Sequence, residues 1–199
     1  MAEKEGILAN PAPLGLMGFG MTTILLNIAN TGAFPVSAMI LSMGIFYGGI
    51  AQVIAGIFEF KKGNTFGMTA FMSFGFFWIS LVALLLIPST TFISGAAAAG
   101  ATDAKFLGWY FFVWGLVTLF LFFATLKKNT ALQVIFATLV ILFFLLAIRD
   151  WGYITGDAAK LIGYEGIICG FSAFYLAMAE VINETFGKTI LPIGGPIVK

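Results

Sequence analysis

The sequence predicts an all-α membrane protein of six transmembrane helices per protomer, and three observations carry that prediction. Of 199 residues, 60% are apolar and only 10% charged, against roughly a quarter charged in an ordinary soluble domain. The mean hydropathy is +1.04. The apolar residues also fall into six separate runs, each near the ~20 residues that cross roughly 30 Å of hydrocarbon. These runs are continuous rather than alternating, as in Leu139–Ile148, so they read as helices and not as strands of a barrel. With so few charged groups, the surface has to face lipid.

The six spans are 12–31, 37–60, 65–87, 105–126, 130–148 and 161–183, so that a single domain 12–183 lies between short tails 1–11 and 184–199. Asn10-Pro11 opens the first span: Asn is a good N-cap and Pro suits the first helical position. Two matching turns, Lys61-Lys62-Gly63-Asn64-Thr65 and Lys127-Lys128-Asn129-Thr130, open the third and the fifth. All three odd-numbered helices are therefore expected to start at an Asn on one side of the membrane. The longer connections are Pro88–Asp103 and Arg149–Lys160.

Lysine and arginine counts set the orientation. One side collects Lys4, Lys61, Lys62, Lys127, Lys128, Lys188 and Lys199, seven against the three of Lys105, Arg149 and Lys160. Basic residues concentrate on the cytoplasmic side, which places both termini in the cytoplasm. The tail around Glu3, Lys4 and Glu5 is no basic n-region, and no cleaved signal peptide is expected.

Composition excludes most chemistry. There is no histidine and a single cysteine, Cys169, so imidazole acid–base catalysis, Cys/His metal sites and an internal disulfide are all excluded. A net charge of +1 creates no field for nucleic acid. No glycine-rich phosphate loop is present, and Asp103, Asp150 and Asp157 sit in outer loops without an obvious partner. An enzyme is not expected, nor is any metal or cofactor. A pore or carrier remains.

Nine or ten residues in from the three Asn positions lie Phe19, Phe74 and Leu139. At 1.5 Å per residue they stand about 14 Å deep, in the middle of the bilayer. Three bulky apolar side chains at one depth make a candidate constriction, although a large residue at mid-depth is also ordinary for any membrane helix. Polar residues inside spans are costly and so informative. The candidates are Thr22, Asn27, Gln52, Thr69, Ser73, Thr118, Gln133, Thr138, Ser172 and Glu180. Ser and Thr can bond their own helix, so Gln52, Gln133 and Glu180 carry the most weight. A small-residue stripe, Gly163, Gly166, Gly170, Ala173 and Ala177, marks close helix packing within or between protomers, and Gly44, Gly48, Ala51 and Ala55 form another. The candidate substrate path is Asn10, Thr22, Gln52, Thr69, Ser73, Gln133, Thr138 and Ala173. Glu59 and Glu180 stand at the ends of the second and sixth helices, where carboxylates are commonly solvated or paired with Lys. Three helix N-termini also crowd the side of Lys61, Lys62, Lys127 and Lys128, and such ends favour anions; the positive-inside rule accounts for the lysines without any substrate.

The string Asn10-Pro11-Ala12-Pro13-Leu14-Gly15-Leu16 resembles the signature of the acetate uptake transporter family. The similarity continues through Met17–Thr23, Met43–Gln52 and Lys61–Gly67, then Ile168–Gly170 and Tyr175–Val181. It thus covers nearly the whole chain. The resemblance implies a cell inner-membrane permease or channel that assembles as a homohexamer with one pore per protomer. It implies small carboxylates as substrates: acetate, related monocarboxylates and succinate. It also implies a mid-membrane constriction of three bulky side chains, at Phe19, Phe74 and Leu139 here. Near bacterial members carry Tyr where this chain has Phe74. Aquaporins share an Asn-Pro-Ala triplet but need two copies. Hexameric urea and amide channels, which pass small neutral solutes, are the alternative transport reading, and a membrane scaffold without a pore is the alternative class.

Overall fold

The computed structural model describes residues 8–87 and 103–198. Among the described residues, six helices are long and apolar enough to cross a membrane: α1 (Ala12–Asn30), α2 (Ala38–Lys61), α3 (Thr65–Leu86), α4 (Ala104–Thr125), α5 (Thr130–Asp150) and α6 (Gly156–Phe186). The first five follow the predicted spans closely. The sixth is longer, at 31 residues, because Gly156–Lys160 is polar and adds nothing to an apolar count while remaining compatible with helix. Thr155 enters it in extended conformation, Asp157 supplies an acid to its first turn, and Gly187 ends it in the left-handed region at φ 63°.

Two of the three expected Asn caps form. Asn64 Oδ1 accepts from Gly67 N at 3.1 Å, and Asn129 Oδ1 accepts from Leu132 N at 2.8 Å. At α1 the cap position belongs to Pro11 instead. Asn10 lies one residue further out, and its Oδ1 accepts from Ala12 N at 3.2 Å. Asp103 is not partnerless, as it seemed in sequence, but caps α4 by accepting from Lys105 N and Phe106 N. Asp150 pairs with Arg149 and Asp157 with Lys160.

The starts of α1, α3 and α5 and the ends of α2 and α6 meet at one face, here termed proximal. Lys62 and Lys128 line a common cavity there. Lys105 gathers with Trp109, Trp151 and Tyr153 around a cleft on the opposite, distal face, where Lys160 lies along Gly32.

The small-residue stripe of α6 is a seam within the protomer. A Cβ added at Gly170 would stand 2.8 Å from the Gly20 oxygen, and one at Gly163 2.5 Å from Thr31 N. In α2, Phe46–Ala51 forms a π-helical segment. Gly48 and Gly49 within it let Thr22, Trp78 and Ile79 pack against bare backbone. Such wide turns recur at functional sites, and Gln52 follows this one directly.

The chain after α6 runs back across the proximal face as a strap. Asn183 Oδ1 accepts from Ile190 N and Leu191 N, and its Nδ2 donates to Leu191 O. Further along, Ile193 O accepts from Ala131 N and Gly195 O from Thr130 Oγ1, while Val198 N donates to Leu126 O. The strap thereby satisfies backbone groups that the α4–α5 turn and the start of α5 leave open.

Candidate functional site

The convergence of helix ends at the proximal face leaves a polar mouth with a cavity of about 190 Å³. Its wall includes Asn10, Glu59, Lys62, Asn64, Lys128 and Glu180. Asn10 Nδ2 donates to Glu180 Oε2 at 2.8 Å, and Lys62 Nζ donates to Asn10 Oδ1 at 3.1 Å. Asn64 Nδ2 donates to Glu59 Oε2 at 2.7 Å, and Lys62 Nζ stands 4.0 Å from Glu59 Oε1. The Glu59 side chain is only 1% exposed, a position a carboxylate holds only with donors around it.

Leu16, Phe66, Gly67, Phe71 and Leu132 line both this mouth and a second cavity, so the two adjoin. The second is apolar and holds about 40 Å³. A water molecule needs roughly 10–15 Å³ of such space, so only a few could stand there. Phe19, Phe74 and Leu139 line it one or two helical turns deeper than Leu16, Gly67 and Leu132. All three are buried. The Phe19 and Phe74 ring centroids lie 6.1 Å apart. Phe74 is also in ring contact with Trp114, Phe136 and Phe143, and such edge and stacked contacts hold a ring firmly. Three residues from three different helices thus meet around one narrow apolar throat.

Comparison with known proteins adds a family. A model described as the GPR1/FUN34/yaaH family matches residues 2–193. The chain belongs to the GPR1/FUN34/yaaH family. It is 59% identical to the succinate-acetate/proton symporter SatP of Escherichia coli strain K12, covering 94% of this chain and 96% of that protein. It is 33% identical to acetate permease A of Emericella nidulans, covering 93% of this chain and 65% of that one. Among solved structures, the bacterial acetate channel SatP matches with a TM-score of 0.88 and 57% identity, over 94% of this chain and 99% of that one. The family read from Asn10–Leu16 is this GPR1/FUN34/yaaH family. In this member the signature string starts at the mouth with Asn10 and ends with Leu16 in the throat wall. Gly15 within it receives the Phe71 ring, which no side chain there would allow.

The structure divides the expected substrate path. Asn10 lines the mouth, and Gln52, 1% exposed, lines the throat with its Oε1 free of hydrogen-bond partners. Thr22 points at α2, its Oγ1 3.5 Å from Met43 O. Gln133 turns back to Lys128 O, and Thr138 bonds Val134 O and Ile135 O of its own helix. Thr69 is exposed and Ser73 half-buried, neither of them in a cavity wall. Ala173 is fully buried in the α1–α6 seam beside Gly20. For Thr22, Gln133, Thr138 and Ala173, bonds to backbone carbonyls and close backbone contact account for a polar or small side chain at span depth.

Sequence reasoning missed the second ring of the throat, Phe66, Phe71 and Phe136. In a chain with 23 phenylalanines, no single one stands out. It also passed over Glu165, whose two oxygens are shielded from water without a hydrogen-bond partner. An acid at span depth was the available signal.

Proposed function

We propose that this protein is a multi-pass inner-membrane channel or carrier for acetate and related short carboxylates, succinate among them. The observation that supports this reading is a polar mouth that adjoins, through shared lining residues, an apolar cavity lined by Phe19, Phe74 and Leu139. The high identity to proteins named for succinate–acetate and acetate transport supports it. In this reading both termini lie in the cytoplasm, the proximal face is the cytoplasmic one, and the protomers assemble as a homohexamer with a pore in each. The small-neutral-solute alternative draws no support from those names.

The throat sets the form in which substrate passes. Stripping water from an unpaired carboxylate costs far more than stripping it from the neutral acid, and Gln52 is the single polar side chain among the throat-lining residues. The protonated acid therefore crosses the rings, while the mouth with Asn10, Lys62 and Lys128 receives the anion. Uptake of labelled acetate into proteoliposomes tests the reading. Saturable uptake that unlabelled succinate suppresses and urea does not is the expected result. Uptake no faster than in protein-free vesicles overturns it.

A further inference from the structure

A pathway for carboxylates whose mouth carries two carboxylates of its own, Glu59 and Glu180, is electrostatically odd. Glu59 is fixed in place: it is buried, held by Asn64 and flanked by Lys62. It lies in the last turn of α2, and its carbonyl accepts from Asn64 N, which ties the α2–α3 turn to it. Glu180 is placed differently. It comes from α6, across the cavity, and its Oε2 takes the Asn10 amide proton at 2.8 Å. The same Asn10 accepts from Lys62 through Oδ1. An amide N–H with an ammonium beside it is the pair of donors a substrate carboxylate needs. In this structure an internal carboxylate occupies the amide N–H. Glu59 Oε1, buried against the same cavity, receives no hydrogen bond, so the mouth holds more acceptor than its donors satisfy.

We propose that Glu180 is a proton-linked switch: ionised, it occupies the Asn10 donor in place of substrate, and protonated, it releases the Asn10 amide N–H, beside Lys62, to a substrate carboxylate. This rests on the reading of the chain as a short-carboxylate pathway. The step balances without any further reactant. A carboxylic acid leaving the throat gives its proton to the Glu180 carboxylate, so that a substrate anion and a neutral Glu180 result. The anion takes Asn10 Nδ2–H and Lys62, and departs to the aqueous side. The Glu180 proton follows into water, and the Asn10–Glu180 bond re-forms. One proton moves with each acid. The charged groups that face Glu180 are Glu59 and Lys62 from α2, Glu184 one turn along α6, and Lys128 at the start of α5; α1 and α3 present the uncharged Asn10 and Asn64.

The test is acetate exchange across proteoliposomes at equal internal and external pH. Each rate is divided by the concentration of undissociated acid, so that the substrate's own titration drops out. In the unaltered protein the corrected rate changes with pH, by up to about tenfold per unit for a single controlling proton. E180Q keeps an acceptor for Asn10 but cannot ionise, and its corrected rate is expected to be flat. E180D keeps the acid with a shorter reach to Asn10, and is expected to retain the pH response. A pH profile in E180Q equal to that of the unaltered protein overturns the proposal. If E180Q does not assemble, N10A serves: removing the donor must displace the profile, and an unmoved profile overturns the proposal. Absence of exchange at every pH in the unaltered protein defeats the transport reading itself, a distinct result.

Discussion

Phe19 on α1 and Phe74 on α3 face each other with ring centroids 6.1 Å apart, and Leu139 on α5 lines the same cavity. In the proposed function, side-chain volume at this point is what limits passage. Phe74→Ala or Leu139→Ala is expected to admit lactate while acetate still passes, raising the lactate-to-acetate uptake ratio by about tenfold, the discrimination one extra group in an apolar pocket gives. A folding defect lowers both substrates together, so the ratio is the quantity to measure. An unchanged ratio in assembled variants places the narrowing elsewhere.

Phe74→Tyr should be milder. The added hydroxyl enters a nest formed by Phe19, Trp114, Phe136 and Phe143, where a polar group without a partner costs about 1–3 kcal/mol. A lowered melting temperature in detergent with an unaltered lactate-to-acetate ratio is the expected outcome.

Gly170 contacts Gly20 and Ile24 of its own protomer. Gly170→Ala should accordingly destabilise the single subunit by about 1–3 kcal/mol, as overpacking does. Gly170→Leu should abolish folding rather than merely separate subunits. A folded but dissociated Gly170→Leu protein on size-exclusion chromatography contradicts that expectation.

The proposed orientation is open to thiol labelling after Cys169 is replaced. Cysteines at Lys62 and Lys128 should resist an impermeant reagent in intact cells, and one at Asp157 should react. Ser94, the other outer position the sequence suggests, lies outside the described residues. The opposite pattern reverses the proximal and distal assignments.

Asn183 holds the strap through three side-chain hydrogen bonds. Asn183→Ala should lower stability by about 1–3 kcal/mol, and removal of residues 188–199 should do so further by freeing Ala131 N and Leu126 O. Thermal unfolding in detergent measures both.

The helices were legible because each span is a long apolar run, and apolar length is what a bilayer demands. That Phe19, Phe74 and Leu139 share one cavity was legible through two Asn caps that mark depth in α3 and α5, with Asn10 near enough to its cap to serve for α1. Thr22, Gln133, Thr138 and Ala173 lie outside the walls of the two cavities. This was not legible for one physical reason: a polar or small side chain at span depth has several ways to be satisfied, and a one-dimensional pattern does not say which. Likewise the π-helical segment at Phe46–Ala51 leaves no periodic trace, because its apolar and glycine residues suit an α-helix equally well. The Glu180–Asn10 contact joins residues 170 positions apart, a distance over which local pattern carries no information.

The seam between α1 and α6 joins the first of the described helices to the last of them. During synthesis α1 enters the bilayer long before its partner exists. Until Gly163, Gly166 and Gly170 arrive, the α1 flank formed by Gly20, Asn27 and Thr31 has only lipid, earlier helices or an insertion factor against it. The bundle cannot close by sequential addition. A defect that keeps α6 from docking should therefore leave this flank of α1 uncovered.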